Sequence, residues 1–298
     1  ENLADMRTKG MELSLTWNDQ IKDVAGSPLD YSISIGISDN TSEITKYDNP
    51  TLSLDETHYQ GKKIGEIWGY VTDGFIKDEA EAQEMANKQA FISTTWKPGD
   101  IRYVDLNGDG KIDRVGDSGD KKVIGNTTPR YNFNLNLSGS WKGFDLRLFF
   151  QGTMKRDVWL DSPVFWGYKT GIWWANLNDY IIDNSWSETN TNAYYPIPTW
   201  SDRSKQTQTK YLQNGAFIRL KDVTLSYTIP KALINKYGIG QLKVFVSGQN
   251  LWEATGLYKY LDPDAVGRRD NNGNLKVDDN GSVYPFTRSY SFGINVTF

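Results

Sequence analysis

The pattern with the clearest chemical meaning is an acidic, glycine-containing stretch over residues 105–113. Side chains with oxygen atoms occupy positions 1, 3, 5 and 9 of an EF-hand-like loop: Asp105, Asn107, Asp109 and Asp113. Gly110 is at position 6, and Lys111 offers its backbone carbonyl at position 7. Hard oxygen donors at this spacing converge on an ion the size of Ca²⁺. Position 12 is Gly116, however, and Asp117 comes one residue late. The sequence therefore fits either a calcium-binding loop or an ordered Asp/Asn/Gly turn.

A second group of candidates is aromatic. Six of the 11 tryptophans lie between residues 153 and 215. Aromatic rings stack on the C–H faces of sugars and anchor protein interfaces. We therefore expect some of this group to face a ligand cavity or a partner: Trp159, Trp166, Trp173, Trp174, Trp186 and Trp200. The alternative is that they form the hydrophobic core of the long segment itself.

Four carboxylates among these tryptophans could nominally serve a glycoside hydrolase: Asp157, Asp161, Asp179 and Glu188. Such an enzyme needs two carboxylates roughly 5 to 10 Å apart, and nothing in the spacing supports such a pair. The only histidine, His58, excludes a multi-histidine metal site and argues against a histidine-dependent triad. The chain has no cysteine, which removes thiolate chemistry and disulfides. We expect no catalysis and no organic cofactor.

A further acidic group lies in residues 251–285. Its members show no metal-ligand spacing, and we expect them to lie in a solvated loop: Asp262, Asp264, Asp270 and Asp278.

The elements that must position these residues are strands with alternating faces. In the last nine residues, Tyr290, Phe292, Ile294, Val296 and Phe298 alternate with small and polar residues. The same alternation occurs in segments 11–17, 31–37, 131–141, 144–151, 217–229 and 242–249. An apolar face flanked by aromatic residues is typical of a transmembrane β-barrel strand.

The opposite face of these strands is polar enough to line a wet lumen. Three asparagines alternate along one strand and a full charge lies on the next, which gives the lumen candidates for hydrogen bonding to a hydrated ligand: Asn132, Asn134, Asn136 and Arg147. Arg219 and Lys221 are out of phase with their strand and predict a bulge or a strand end above the membrane.

The connections alternate between short and long. Short ones fall at residues 18–28, 142–143 and 230–240, and long ones at about 39–129, 153–215 and 251–285. Periplasmic turns and extracellular loops of an outer-membrane barrel show this sorting. The first long segment also predicts a helix over residues 78–90, capped by Asp78. Seven strands cannot close such a barrel, so we expect the C-terminal part of a longer protein.

Composition excludes other classes. The net charge of −4, with a pI near 5.2 and no Lys/Arg-rich tract, offers no footprint for nucleic acid. No apolar run reaches 18 residues, so we expect no transmembrane helix. The first residues lack the charged and apolar regions of a signal peptide, and we expect an export signal to lie upstream.

Several segments together resemble the C-terminal portion of SusC/RagA-type TonB-dependent transporters, outer-membrane proteins of Bacteroidetes. They follow the family order over nearly the whole chain: MRTKGMEL (6–13), GYVTDGF (69–75), PGDIRYVDLNGDGKID (98–113), VIGNTTPRYNF (123–133), WKGFDLRLFFQG (141–152), FIRLKDVTLSYTIP (217–230), VSGQNL (246–251) and the terminal strand.

The resemblance implies an all-β fold: a 22-stranded transmembrane antiparallel β-barrel in outer-membrane lipid, of which this chain is the last seven or so strands with their long extracellular loops. The N-terminal plug and the earlier strands would be absent from the sequence. It also implies import of glycan oligosaccharides, or of peptides, with a SusD-like surface lipoprotein and with TonB, which would act on the missing N-terminal part. The alternatives are a secreted carbohydrate-binding β-sandwich, which would dissolve without detergent, and a glycoside hydrolase.

Overall fold

The computed structural model describes residues 4–49, 58–114, 119–161, 163–167, 179–258, 261–266, 268–269, 275–276 and 287–298. In chain order the strands are β1 (Ala4–Ile21), β2 (Leu29–Tyr47), β3 (Glu66–Tyr70), β4 (Thr72–Phe75), β5 (Ile101–Tyr103), β6 (Lys121–Asn126), β7 (Arg130–Trp141), β8 (Phe144–Lys155), β9 (Asp157–Val158), β10 (Gln213–Asn214), β11 (Phe217–Thr228), β12 (Gln241–Thr255), β13 (Arg268–Arg269), β14 (Leu275–Lys276) and β15 (Ser289–Thr297). The helices are α1 (Glu79–Lys88), α2 (Pro163–Trp166), α3 (Asp179–Asp183) and α4 (Lys231–Ile234), with 3₁₀ turns at Arg203–Lys205 and Asn235–Tyr237.

Seven long strands form one antiparallel sheet whose order in space follows the order in the chain: β1-β2-β7-β8-β11-β12-β15. Each strand pairs with the next long strand, as in an up-and-down barrel wall. The prediction of an all-β, antiparallel fold with seven long strands is confirmed. None of the helices within the described ranges is long and apolar enough to cross a membrane.

The sheet has two chemically different faces. One face, here called the outer face, exposes a continuous apolar surface to which every long strand contributes, with Phe292 90% exposed. Its members include Leu13, Leu15, Trp17, Ile33, Ile35, Leu146, Leu225, Val244, Val246, Tyr290, Ile294 and Val296. Monomers in water rarely expose a patch of more than a few hundred Å². An apolar surface that extends across the long strands fits the lipid-facing side of a membrane barrel. The opposite face, here called the inner face, is mainly polar and carries a few aromatic side chains, including Phe149 and Phe245.

The long strands continue beyond the apolar zone. β2 reaches Tyr47, β8 reaches Lys155 and β12 reaches Thr255, so the long connections begin later than the predicted positions 39, 153 and 251. The alternation of apolar residues stops where the outer face becomes charged, at Asp39 and Glu43, whereas the backbone ladder between β1 and β2 continues. Apolar periodicity reports the lipid-covered part of a strand and not the whole strand.

The predicted irregularity around Lys221 is a β-bulge. Leu220 lies opposite Phe150 and Asp222 lies opposite Phe149, so Lys221 is the extra residue in the pairing of β11 with β8. The bulge restores the phase, because Leu220 before it and Val223 after it both keep to the outer face. Arg219 is thereby directed to the inner face.

Short turns close the sheet at one end. Lys142 and Gly143 join β7 to β8 with φ angles of 49° and 84°, the conformation that a two-residue hairpin turn requires. Trp141 Nε1 donates to the carbonyl of Val24 at 2.9 Å, and Lys142 Nζ donates to that of Ala25 at 2.6 Å. Neighbouring turns are therefore bonded to one another.

The long connections at the other end fold together as one layer, here called the loop layer. Buried residues from all three connections form one hydrophobic cluster, which includes Tyr70, Ile101, Phe165, Tyr211, Leu257, Leu261 and Val266. The first connection contains α1, and the side chain of Asp78 accepts a hydrogen bond from the N–H of Glu81 at 2.8 Å, as predicted for its cap.

Polar contacts also join the first two connections. Asp100 is fully buried and bonds Arg203 Nε at 2.7 Å and Ser204 Oγ at 2.8 Å. Tyr103 donates to the carbonyl of Arg203 at 2.9 Å. Burial raises the pKa of Asp100, and Arg203 opposes this shift. The two connections are held by both packing and charge.

Candidate ligand site on the inner face

The inner face carries the three predicted asparagines on β7. Asn132 Oδ1 accepts from Thr153 Oγ1 at 2.8 Å, and Asn136 Nδ2 donates to Asn134 Oδ1 at 3.4 Å. Asn134 lies across Gly36 of the neighbouring strand, since a Cβ built on that glycine would be only 2.6 Å from Asn134 Nδ2. A glycine at position 36 gives Asn134 the space to lie along the wall.

Charged residues lie further along the same face. Asp145 accepts from Lys243 Nζ at 2.7 Å and from Ser140 Oγ at 2.6 Å. Arg147 is exposed and lies opposite Ser138 and Thr224 in the register, and its side chain has no hydrogen bond or ion pair to the described residues. Arg147 is thus a cation available to a ligand.

A cleft of about 490 Å³ lies where the inner face meets the loop layer. Its lining includes Asn132, Asn134, Phe149, Gln151, Arg156 and Asp264. The volume is within the usual range of ligand pockets, roughly 300–1,000 Å³. Two of the predicted lumen residues therefore meet in one cleft, while Asn136 and Arg147 lie outside its lining.

One side of the cleft is fixed by a buried arginine. Arg219 is 1% exposed and contacts Glu253, Asp262 at 2.8 Å and Asp264 at 3.1 Å. Lys221 Nζ reaches Asp264 at 2.7 Å. We call these five residues the arginine clamp. It binds the turn of residues 261–266 to β11 and β12.

The arginine clamp corrects the expectation of a solvated acidic loop. Asp262 is 8% exposed and Asp264 is partly buried, and both form ion pairs with the strand arginine. Burial of a carboxylate is tolerated because a cation compensates it. Asp270 and Asp278 lie outside the described residues. The out-of-phase Arg219 was the sequence signal for this contact, since a charge that interrupts a strand pattern needs a partner.

Arg156 follows β8 and was not predicted as a site residue. It is 8% exposed and donates through Nη1 to the carbonyl of Pro263 at 3.3 Å and through Nη2 to that of Val266. Its Nε has no hydrogen-bond partner among the residues that the structure describes. A single arginine in a polar segment carries no periodic signal, so sequence reasoning could not select it.

The predicted tryptophans separate into three groups. Trp166 and Trp186 are 3% and 7% exposed, so these two candidates are buried and do not face a ligand. Trp166 belongs to the hydrophobic cluster of the loop layer, and its Nε1 donates to the carbonyl of Leu160 at 2.8 Å. The ring of Trp186 packs against Gly99. Trp159 is partly buried, with its ring 6.0 Å from that of Trp166. Trp200 is 68% exposed. Trp173 and Trp174 lie outside the described residues.

The candidate calcium loop is closed by its own hydrogen bonds. Asp105 accepts from the N–H groups of Gly108 at 2.6 Å and Gly110 at 2.8 Å, which lower its pKa. Asn107 Oδ1 accepts from Asp109 N at 2.9 Å, and Asp109 Oδ1 accepts from Lys111 N at 2.8 Å. The side-chain oxygens of Asp105, Asn107 and Asp109 are thus each held by N–H groups of the loop itself.

Asp120 stabilises this loop by hydrogen bonds to its two ends. Its buried carboxylate accepts from Leu106 N at 2.7 Å and Asp113 N at 2.8 Å, and burial raises its pKa. Among the described residues no cluster of three or more acidic or histidine side chains is placed to hold a metal ion. Gly116 and Asp117 lie outside them. Calcium binding therefore stays a prediction.

Comparison with known proteins gives relatives along the whole chain. No family model matches the sequence. The chain is 28% identical to TonB-dependent receptor P3 of Formosa agariphila over 312 residues, covering 100% of this chain and 29% of the relative. TonB-dependent receptor P26 of the same organism is 24% identical, with 100% and 30% covered. The chain thus spans less than a third of the length of these relatives.

Solved structures of the RagAB peptide importer have the same fold. The "open-open" state matches with a TM-score of 0.67 and 22% identity, covering 99% of this chain and 29% of that chain. The "closed-closed" state has the same TM-score and identity, with 100% and 30% covered.

These similarities confirm the predicted resemblance to TonB-dependent outer-membrane transporters and the predicted fold class. TonB-dependent receptors are outer-membrane proteins, which confirms the predicted location in the outer membrane of a Gram-negative bacterium. The relatives are receptors and transporters and not enzymes, in agreement with the expectation that the chain carries no catalysis.

Proposed function

We propose that this chain forms part of the wall and the extracellular layer of a TonB-dependent active importer that takes up glycan oligosaccharides or peptides. The observation that carries the proposal is the two-faced sheet, which is apolar outside and polar inside and carries a cleft of about 490 Å³ below the loop layer. Outer-membrane channels need this arrangement, because lipid covers one face and a hydrated solute passes along the other.

The proposed partners are a SusD-like surface lipoprotein, which would cover the loop layer, and TonB, which would supply energy through a part of the protein outside this chain. The loop layer exposes large apolar side chains that suit a protein contact, including Phe91 at 52%, Ile182 at 53% and Trp200 at 68%. The matched structures are named for RagAB, a peptide importer.

The proposed ligand contacts are polar side chains on the inner face and aromatic side chains in the loop layer. Asn132, Asn134, Asn136 and Arg147 would bond a hydrated solute along the wall. Trp159 and Trp200 keep exposed ring surface for stacking. Trp173 and Trp174 stay candidates of the same kind.

Disruption of the gene that encodes this chain tests the proposal. Uptake of fluorescent oligosaccharides and of fluorescent peptides would be measured in the disrupted and the complemented strain, with a protonophore as a control for energy coupling. We expect one ligand class to lose energy-dependent uptake. Purification of the intact receptor should recover a lipoprotein, identified by mass spectrometry. Unchanged uptake of both classes would refute an import function for these solutes.

We also propose that residues 105–113 bind Ca²⁺. Each carboxylate oxygen has two lone pairs, so the oxygens of Asp105 and Asp109 can accept from backbone N–H groups and still bind a cation. Calcium should slow hydrogen exchange of residues 105–113 in the intact receptor, and EGTA should reverse the effect. Asp109→Asn should weaken the calcium effect, and magnesium is the matched control. If calcium does not change the hydrogen exchange of residues 105–113, the segment is an ordered turn without a calcium site.

A further inference from the structure

Two asparagines in the lining of the cleft have side-chain donors that no described residue uses. Asn132 Oδ1 is occupied by the Thr153 hydroxyl at 2.8 Å, and Asn134 Oδ1 by Asn136 Nδ2 at 3.4 Å. A side-chain amide has one acceptor oxygen and an NH₂ group with two donors. One lone pair on each oxygen and both N–H donors of each NH₂ group therefore remain for a ligand on Asn132 and Asn134.

Arg156 adds a buried positive charge that no carboxylate of the described residues pairs with directly. Its Nη atoms bond two neutral carbonyls, of Pro263 and Val266, and its Nε has no partner within the described ranges. The carboxylate in the cleft lining, Asp264, already lies 3.1 Å from Arg219 and 2.7 Å from Lys221. A guanidinium as buried as Arg156 is normally paired with an anion.

We infer that the cleft is a subsite for an oxyanion carried by the imported molecule, either a carboxylate or a sulfate ester, with Arg156 as its cationic anchor. The NH₂ groups of Asn132 and Asn134 supply further donors, and Phe149 covers the adjacent apolar part of the ligand. The inference rests on the proposed import function, because it names the chemistry of the ligand that the importer would carry.

Two variants and one control test this subsite in the intact receptor, purified from outer membranes in detergent. Arg156→Gln removes the charge. Asn134→Asp keeps the size of the side chain and places a like charge beside the ligand, while the contacts of Arg156 stay intact. Lys155→Gln is the matched control, since it removes a neighbouring exposed cation that is not in the cleft lining. Heat-modifiable migration in electrophoresis reports whether each variant is folded.

Binding is measured by calorimetry with pairs of probes in which one member carries anionic groups and the other carries neutral groups at the same positions. The pairs are triglucuronic acid and triglucose, sulfated and unsulfated lactose, and trialanine and trialanine amide, so that sugar carboxylate, sulfate and peptide carboxylate are distinguished. The folded wild type should prefer at least one anionic probe by about tenfold or more. Arg156→Gln and Asn134→Asp should abolish that preference, and Lys155→Gln should keep it. If Arg156→Gln does not fold, Asn134→Asp decides.

The subsite is refuted if the wild type prefers no anionic probe, or if its preference survives both cleft variants. Failure of the subsite is separable from failure of the import function. Equal binding of charged and neutral probes, with energy-dependent uptake intact, would refute only the oxyanion subsite. Uptake that is unchanged when the gene is disrupted would refute the import function.

Discussion

Replacement of Arg219 by methionine should release the turn of residues 261–266 from the sheet. The cost is set by the carboxylates that lose a cation. Glu253 is 37% exposed and can be rehydrated, and Asp264 keeps Lys221 at 2.7 Å, so neither contributes much. Asp262 is 7% exposed at its side chain and would be left buried without the strand arginine.

Breaking a buried ion pair by removing one partner costs roughly 3–5 kcal/mol. With a single strongly buried carboxylate affected, we expect about 3 kcal/mol, which corresponds to a population of the opened turn about 150-fold larger. Hydrogen exchange of residues 261–266, followed by mass spectrometry in the intact detergent-solubilised receptor, measures this population. Arg147→Met is the matched control, because Arg147 is an exposed cation on the same face.

A second substitution separates the charge effect from a packing effect. Asp262→Asn in the Arg219→Met background removes the buried carboxylate that has lost its arginine and should restore most of the protection. Exchange in the single variant within threefold of wild type would refute the argument that the arginine clamp holds the turn. Failure of Asp262→Asn to restore protection would assign the effect to the lost side-chain volume of the arginine.

Three further outcomes follow from the described contacts. The pKa of Asp105 is lowered from 3.8 by the backbone N–H groups of Gly110 and Gly108. Hydrogen-exchange protection of these two amides should therefore be full above about pH 4 and should be lost as the pH falls through the lower pKa of the folded state. Asp105→Asn should abolish this pH dependence of the protection factors. Phe165→Ala should destabilise the loop layer by about 3–5 kcal/mol in thermal unfolding followed by near-UV circular dichroism, whereas Trp200→Ala, on an exposed side chain, should change it by about 0.5 kcal/mol or less. Gly293→Val should reduce the heat-modifiable fraction of the receptor, because a Cβ there would lie 2.5 Å from the ring of Phe245, and adding Phe245→Ala should restore it.

The sheet was predictable because the bilayer imposes one rule on every strand. Alternation over residues 131–141 and 290–298 gave both the strands and their faces, and the misplaced charge at Arg219 gave the bulge. The strand ends were predicted too early. Above the membrane the strands are held by their ladder and by ion pairs such as Arg130 with Asp39, which leave no period in the sequence.

The site was less predictable, because it depends on contacts between distant segments. Asn132 and Asn134 were selected from their spacing on one strand. Arg156 and Asp264 join them only because the turn of residues 261–266 returns to the inner face more than a hundred residues later. The tryptophans were ambiguous for the same reason, since a large ring in a long loop serves a core or a ligand equally well until its neighbours are known.

The hydrophobic cluster shared by the three long connections bears on how such receptors diversify. Tyr70, Phe165 and Leu261 come from three different connections and are buried in one cluster. A recombination event that exchanged one connection alone would bring a foreign surface against two resident ones and leave cavities or clashes between them. Variation in this layer should therefore be inherited in blocks that carry all three connections, and chimaeras built to change ligand preference should exchange the three together.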